Sequence, residues 1–126
     1  EWDGLDPNCP HLLARTTGDK PVGTVRWRFL EWGGAIHGKC TRTEFAVNET
    51  VGKIERLAVL KSHRNRGVGG RLLETVCQRI AAHGVRTALL GAQLSAIPFY
   101  ERFGFVVCSD IFMDAAIAHK TMVKTL

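Results

Sequence analysis

Alternating apolar and polar residues predict a pair of strands near the start of the chain. Residues 22–30 alternate with a period of two, which places Val25 and Trp27 on the same face. Residues 11–16 form a shorter apolar run, and the turn residues 18–21 separate the two runs. Two strand-like runs joined by a short polar turn predict a β-hairpin.

A helical period replaces this alternation in the middle of the chain. Apolar residues between positions 68 and 83 recur every three or four positions, as one stripe of an α-helix requires. They are Val68, Leu72, Leu73, Val76, Cys77, Ile80 and Ala81. Gly84 follows, and a glycine here predicts the left-handed residue that commonly ends a helix. The apolar run at residues 52–60, before the helix, predicts a strand.

The rest of the chain predicts shorter elements. Ser95 can cap a short helix that runs through Arg102 and ends at Gly104. Further strands are predicted at residues 86–92, 105–108 and 120–126. Residues 31–51 contain several glycines and predict a long loop with some strand in it. This order of elements predicts an α/β (α+β) fold.

Length and composition indicate one folded domain. A chain of 126 residues with 45% apolar and 23% charged residues is ordinary for a domain with a single core. Its 17 Lys and Arg against 12 Asp and Glu give a net charge of +5, without a run of five like charges. The basic residues instead cluster around one turn, at Lys61, His63, Arg64, Arg66 and Arg71. This clustering favours one local anion, and we expect no nucleic acid as a partner.

The cysteines indicate a reducing compartment. None of Cys9, Cys40, Cys77 and Cys108 has CxxC spacing, so we expect free thiols and a cytoplasmic location. No apolar run is long enough to cross a membrane, and the start of the chain does not resemble a signal peptide, so no membrane partner is expected. His37 and Cys40 are two potential ligands without a second pair, so we expect no metal site.

The clearest chemical signal lies between the predicted strand and helix, in the segment Arg64-Asn65-Arg66-Gly67-Val68-Gly69-Gly70. A glycine-rich turn that leads into a helix presents unpaired backbone N–H groups at the positive end of the helix dipole. Arginines add forked donors that suit phosphate oxygens. The segment lacks the Lys-Ser/Thr pair of a P-loop, and Leu72 replaces the third glycine of a dinucleotide-binding turn. The spacing therefore predicts a pyrophosphate site of another class.

This Arg-x-x-Gly-x-Gly turn resembles motif A of the GNAT N-acetyltransferases, which hold the pyrophosphate of acetyl-CoA there. A second segment, residues 96–105, reads Ala-Ile-Pro-Phe-Tyr-Glu-Arg-Phe-Gly-Phe and is similar to the A-x-x-F-Y-x-x-x-G-F segment of the same family. The resemblance implies a mixed central sheet that is splayed at the strand before motif A, with flanking helices. It also implies transfer of an acetyl group from acetyl-CoA to a primary amine.

The same resemblance implies which residues bind the cofactor. Backbone N–H groups of Leu57, Ala58 and Val59 would face the pantetheine arm and the thioester oxygen. The turn and the first helical residues would hold the pyrophosphate, namely Arg64, Arg66, Gly67, Val68, Gly69, Gly70 and Arg71. Gly67 and Gly69 matter because a side chain would hold the phosphates away from the backbone.

Candidate catalytic residues follow from the same family pattern. Tyr100 stands where family members often place the general acid, and packing within the helix is the alternative interpretation. Glu55 is the first candidate for the general base, and an ordinary carboxylate paired with an arginine is its alternative. His119 is the second candidate because imidazole side chains titrate near neutrality, and Asp114 is a weaker one. Transfer through a water chain, without a dedicated base, stays open.

The resemblance extends over residues 11–126 and is closest to the small ElaA-like branch of the family. His-Leu-Leu-Ala at residues 11–14 and Ala-Gln at residues 92–93 match that branch. The branch also carries a Gly-Ile-Pro-His-x-x-Met segment near its end. Here Ala116 and Ala118 replace the glycine and the proline, so the loop before the histidine is expected to differ.

Alternative functions remain open at the level of sequence. The family opens with a strand and two helices that form part of the acceptor site, and nothing before Glu1 supplies them. We therefore expect one acetyltransferase domain over residues 1–126 that is incomplete at its N-terminus. A catalytically silent acyl-CoA-binding module and a basic nucleic-acid binder are the alternatives to an enzyme. The expected partner is a small-molecule or peptide amine, with a possible homodimer.

Overall fold

A mixed sheet carries two helices in this protein, whose computed structural model describes residues 9–31 and 49–126. The described strands are β1 (His11–Arg15), β2 (Pro21–Glu31), β3 (Thr50–Val59), β4 (Thr87–Gln93), β5 (Val106–Val107), β6 (Phe112–Asp114) and β7 (Ile117–Thr125). The described helices are α1 (Val68–Ala82) and α2 (Ile97–Glu101). The strands lie in the order β1-β2-β3-β4-β7-β5, and β6 pairs with β7.

The chain runs antiparallel between all described strand neighbours except β3 and β4. These two strands are parallel, and α1 connects them, because parallel neighbours require a crossover connection. The resulting strand–turn–helix–strand unit places the glycine turn at the end of β3. This confirms the predicted order of elements around the turn.

The sheet is splayed between β3 and β4. The two strands pair only at Gly52 with Ala88 and at Lys53 with Leu89, near the start of each strand. Further along β3 the register with β2 shifts, so that residues 56 and 57 together face a single residue of β2. Arg56 has a left-handed φ of 55° at this bulge. Because a bulge bends its strand, β3 turns away from β4 and leaves a gap in the sheet, as the family resemblance implied.

The core lies between the sheet and α1. The helix buries most of its predicted stripe, namely Leu72, Leu73, Val76, Cys77 and Ile80. These side chains pack with Val25 and Trp27 of β2 and with Ile54 of β3. Gly84 adopts a φ of 76° just beyond α1, which confirms the predicted left-handed end. The buried stripe fixes the direction of α1 and therefore the position of its N-terminus.

A tight hairpin joins β6 to β7 close to the gap in the sheet. Asp114 pairs with Ile117, so Ala115 and Ala116 form a two-residue turn. Both alanines have positive φ, 51° and 62°. Two-residue hairpin turns of this kind favour Asn-Gly or Gly-Gly, because a Cβ strains the left-handed conformation. The turn therefore has the left-handed backbone conformation that glycine favours, although both of its residues are alanine.

The structure departs from the predicted elements at three places. Ser95 does not cap α2, since it lies in a 3-10 turn, Leu94–Ala96, that leads directly into the helix, and Ala96 occupies the cap position without a side-chain cap hydrogen bond. Strand β6 was not predicted, because three residues are too few to show a period. Strand β7 begins at Ile117, three residues before its predicted start. Residues 32–48, most of the predicted loop, lie outside the described residues.

Candidate active site

A cavity of about 710 Å³ opens where β3 leaves β4. Residues of β2 and β3 form one wall, and residues of β4, α2 and the β6–β7 hairpin form the rest of the lining. The splay of the sheet therefore creates a space that two neighbouring, fully paired strands would fill.

The glycine turn lies beyond this cavity at the end of β3. Gly67 is the N-cap residue of α1, with a φ of 80°, and no described side chain caps the helix. The first helical hydrogen bond runs from the Arg71 N–H to the Gly67 carbonyl at 3.0 Å. The N–H groups between them have no partner within the helix. Arg64 donates from Nε to the Val59 carbonyl at 3.1 Å, which ties the turn to the end of β3.

The three glycines of the turn are needed for different reasons, which are backbone conformation in one case and side-chain packing in another. Gly67 needs its positive φ, although no atom lies within 4 Å of a Cβ placed there. Gly70 is buried, and a Cβ would lie 2.5 Å from Phe103 Cζ. Gly69 has neither requirement, since a Cβ would make ordinary contacts of 3.5 Å with Phe99 and 3.6 Å with Val59. Neither backbone conformation nor packing explains the glycine at position 69. A ligand that approaches the backbone closely would explain it, and a pyrophosphate at the N-terminus of α1 fits this role.

The last residues of β3 turn backbone groups toward the gap. Leu60 donates its N–H to the Val22 carbonyl of β2 at 2.8 Å. Because successive residues of an extended chain point their N–H groups to opposite sides, the N–H of Val59 faces away from β2. Leu57 lies in the bulge, and Ala58 pairs with Thr24 of β2, so by the same alternation the Ala58 N–H faces β2 and not the gap, unlike the expectation from the resemblance. The predicted segment Leu57–Val59 thus borders the gap, and Leu57 also lines the cavity.

Tyr100 reaches the cavity from α2. Its ring packs edge-on against Phe99 and Phe105, with ring centroids 5.1 and 6.1 Å apart. Burial raises the pKa of Tyr100, so the phenol stays protonated at neutral pH. The hydroxyl has no hydrogen-bond partner in residues 9–31 and 49–126, which leaves its proton available to a group in the cavity.

Glu55 is held by three basic side chains on the opposite wall. Arg26 binds Oε2, Arg28 binds Oε1 at 2.6 Å, and Lys53 Nζ lies 3.5 Å from Oε1. Burial alone would raise the pKa of Glu55, but the hydrogen bonds from Arg28 and Arg26 and the charge of Lys53 outweigh it. The pKa of Glu55 is therefore lowered and its carboxylate is ionised at neutral pH.

His119 lies on β7, opposite Gln93 of β4, and lines the same cavity. Its Nδ1 is 2.7 Å from the Ile117 carbonyl. A carbonyl only accepts hydrogen bonds, so Nδ1 carries the proton and Nε2 of the neutral ring is an acceptor. The ring stacks on Phe112, with centroids 5.7 Å apart, and this contact fixes its plane.

The structure brings together all four candidate catalytic residues. Glu55, Tyr100, His119 and Asp114 line one cavity, and the pyrophosphate candidates lie next to it along the chain. His37 and Cys40 lie outside the described residues, and residues 9–31 and 49–126 hold no group of three or more potential metal ligands. No described helix is long and apolar enough to cross a membrane.

Sequence reasoning missed the basic residues around Glu55. Arg26 lies opposite Glu55, and Arg28 lies opposite Lys53, on neighbouring antiparallel strands. Each strand carries two charged residues that are two positions apart, and such residues lie on the same face of a strand. This spacing was the sequence feature that could have indicated a charged cluster. Without the strand register, these charges could not be assigned to one another.

Comparison with known proteins agrees with this geometry. The family profile of the acetyltransferase (GNAT) family matches residues 1–105. The uncharacterised N-acetyltransferase YjcF of Bacillus subtilis is 36% identical over 125 residues, which cover 98% of this chain and 76% of YjcF. This chain belongs to the GNAT family of acetyltransferases. It is therefore an acetyltransferase, and its acyl donor is an acyl-CoA.

Solved structures share the fold. Escherichia coli ElaA matches with a TM-score of 0.70 at 22% identity, over 97% of this chain and 73% of ElaA. An acetyltransferase from Bacillus cereus matches with a TM-score of 0.67 at 20% identity, over 94% of this chain and 73% of that chain. These structures confirm the splayed mixed sheet, and the family profile and the relative YjcF confirm the family and the class of enzyme.

Proposed function

We propose that this enzyme transfers the acetyl group of acetyl-CoA directly to a primary amine in the cavity between β3 and β4. The observation that carries the proposal is the placement of a protonated Tyr100 hydroxyl and two proton acceptors, Glu55 and His119, around one cavity. Acetyl transfer to an amine needs both a proton donor and a proton acceptor at the reacting atoms.

The glycine turn would bind the pyrophosphate of the donor. The uncapped N–H groups at the start of α1 and the open backbone at Gly69 fit phosphate oxygens. Arg66 and Arg71 are exposed beside the turn and would add charge-assisted hydrogen bonds. The pantetheine arm would then run along the free edge of β3 toward Leu57 and the cavity.

The residues of the cavity would divide the proton transfers among them. A bound acetyl-CoA would supply an acetyl group activated as a thioester. The Val59 N–H would stabilise the charge that develops on the carbonyl oxygen as the amine nitrogen forms its bond to carbon. The carbon–sulfur bond breaks, and Tyr100 would donate its hydroxyl proton to the departing sulfur. The nitrogen gives up the protons that the phenolate and the base take.

We propose His119 as the first acceptor of the ammonium proton, with Glu55 as the alternative. What favours His119 is that it lines the cavity and that its Nε2 is an acceptor when Nδ1 donates to the Ile117 carbonyl. Glu55 has both oxygens engaged by basic side chains, and its lowered pKa makes it a weaker base. Base-free transfer through water remains the third alternative of the proposal.

The acceptor that we propose is a primary amine of a small molecule or a peptide. A cytoplasmic location is part of the proposal, and the support for it is that Cys77 is buried and forms no disulfide. A homodimer stays a prediction. The same cavity could also serve a silent acyl-CoA-binding protein, which would bind the donor without releasing a thiol.

Two measurements test the proposal. Calorimetry should detect binding of acetyl-CoA, and a colorimetric thiol assay should detect CoA release when a suitable amine is added. The products should include the acetylated amine by mass spectrometry. Binding without thiol release across a broad amine panel would identify a silent acyl-CoA-binding protein. Absence of acetyl-CoA binding would refute the proposal altogether.

A further inference from the structure

We propose that the amine acceptor carries an anionic group, a carboxylate or a phosphate, and that Arg28 and Lys53 bind this group. The inference rests on the proposed function, because it names the chemical class of the acceptor in the same cavity. Neither residue is part of the proposed donor site or of the proposed proton transfers.

The first observation is an imbalance of charge on the β2–β3 wall of the cavity. One carboxylate, that of Glu55, contacts Arg26, Arg28 and Lys53 together. Arg26 is 2% exposed and its pairing with Glu55 is internal to the wall. Arg28 and Lys53 share the remaining oxygen of Glu55, so these two cavity-lining residues carry more positive charge than this oxygen balances. A second anion would balance it.

The second observation is the set of hydrogen-bond donors that the cluster leaves unused. Arg28 binds Glu55 through Nε, and its two terminal nitrogens have no partner in residues 9–31 and 49–126. Its side chain is 25% exposed, and it lines the cavity. Lys53 Nζ shares the same oxygen at 3.5 Å and makes no hydrogen bond within those residues, although its side chain is only 13% exposed. Two largely desolvated cations are stabilised when an anion completes their hydrogen bonds.

The third observation is the strand register. Arg28 and Lys53 lie directly opposite each other on the antiparallel pair β2–β3. Like charges in this position repel one another and destabilise a sheet. Glu55 offsets this repulsion only in part, because Arg26 also takes one of its two oxygens. A carboxylate or phosphate between Arg28 and Lys53 would relieve the remaining repulsion, so the wall is arranged for an anion.

The position of this cluster sets the shape of the acceptor. Lys53 precedes Leu57, which borders the gap in the sheet, by four residues, a span of at most about 14 Å. An acceptor that reaches both places needs its amine and its anionic group within about this distance of each other. Amines with an additional positive charge in place of the anion would meet repulsion from the same wall. The favoured class is therefore a small amine with a carboxylate or a phosphate.

Matched pairs of amines test this directly. Ethanolamine is compared with L-serine and with O-phosphoethanolamine, putrescine with L-ornithine, and glucosamine with glucosamine 6-phosphate. The wild-type enzyme should prefer an anionic member in kcat/KM by at least about tenfold, as one charge-assisted hydrogen bond supplies. The carboxylate and phosphate arms show which anion the site takes. Equal kcat/KM within every pair would overturn the inference.

Substitutions assign the preference to the two residues. Arg28→Gln and Lys53→Met should each reduce the ratio within a pair by about tenfold, while acetyl-CoA affinity stays unchanged. Arg79→Gln is the matched control, because Arg79 is exposed in the last turn of α1 and does not line the cavity. It should keep the wild-type ratio. An unchanged ratio in both cavity variants would also overturn the inference, and thermal unfolding verifies that each variant is folded.

Calorimetry with the amines alone separates this inference from the proposed function. If no amine supports thiol release, but the wild-type chain binds an anionic amine and Arg28→Gln does not, the inference stands and the proposed transfer fails. If thiol release occurs equally with neutral and anionic amines, the transfer stands and the inference fails. Absence of both binding and preference contradicts the inference.

Discussion

Gly70 of α1 contacts Phe103, and a Cβ on Gly70 would lie 2.5 Å from Phe103 Cζ. The contact joins the glycine turn to the segment that carries Tyr100. The two motifs that identify the family in the sequence are thus one packing unit in the structure. Gly70 serves this packing, whereas Gly67 serves the left-handed turn.

Gly70→Ala should destabilise the protein by about 1–3 kcal/mol, because the new methyl group must displace the Phe103 ring in a packed region. The loss should appear as a lower midpoint of denaturant unfolding, while the dependence of the unfolding free energy on denaturant concentration stays unchanged. Displacement of Phe103 also moves α2, so we expect lower kcat in the same variant.

Gly69→Ala is the matched control for this effect, since its Cβ would make only ordinary contacts with Phe99 and Val59. The free energy of unfolding should stay the same or rise by up to about 1 kcal/mol, as alanine favours a helix over glycine. Acetyl-CoA affinity should nevertheless fall, because the methyl group is added within the turn that is proposed to bind the pyrophosphate. Equal loss of stability in both variants would argue against the distinct roles of the two glycines.

Ala116→Gly should stabilise the protein by about 1 kcal/mol, because Ala116 holds a φ of 62° in the β6–β7 turn. Chemical denaturation measures the gain directly.

Ala118→Gly is the control for the turn, because Ala118 lies in β7 and pairs with Met113. Glycine should destabilise this position by about 0.5–1 kcal/mol. If both substitutions lower stability, the strain assigned to the turn is wrong.

The ion pairs of Glu55 should make stability depend on pH. Its pKa in the folded protein lies below the ordinary value of 4.5, so its contribution is complete above about pH 4.5 and is lost as the pH falls through the folded pKa. Glu55→Gln should therefore lower the free energy of unfolding by about 3 kcal/mol at pH 7, with a smaller difference in acid. Glu74→Gln, at an exposed position of α1, should cost no more than about 0.5 kcal/mol at either pH. A difference that is independent of pH would contradict the ion-pair account.

The sequence predicted the elements whose hydrophobic period repeats over many residues or whose end is marked by a glycine. Helix α1 and strand β2 show their periods over nine residues or more, and Gly84 marks the end of the helix. Strand β6 has three residues, too few for a period, and Ser95 failed as a cap because a 3-10 turn continues into α2. These outcomes depend on tertiary contacts that short segments do not encode.

The candidate site was predictable where a family motif covers it. The glycine turn could be found from its spacing and Tyr100 from the family resemblance, and the structure brings the turn and the segment that carries Tyr100 together through Gly70 and Phe103. The cluster around Glu55 could not, because it depends on the bulge at Arg56, which sets the register of β3 on β2. A bulge shifts the register by one residue, and the pattern of apolar and polar residues in β3 does not predict it.

Tyr100→Phe tests the central claim most directly, because it removes one hydroxyl and keeps the ring that packs against Phe99 and Phe105. Thiol release should show kcat reduced about 100-fold, the size expected for loss of a general acid, with acetyl-CoA affinity within about twofold of the wild type. A kcat equal to that of the wild type would contradict the proposal that Tyr100 protonates the departing sulfur in this cavity.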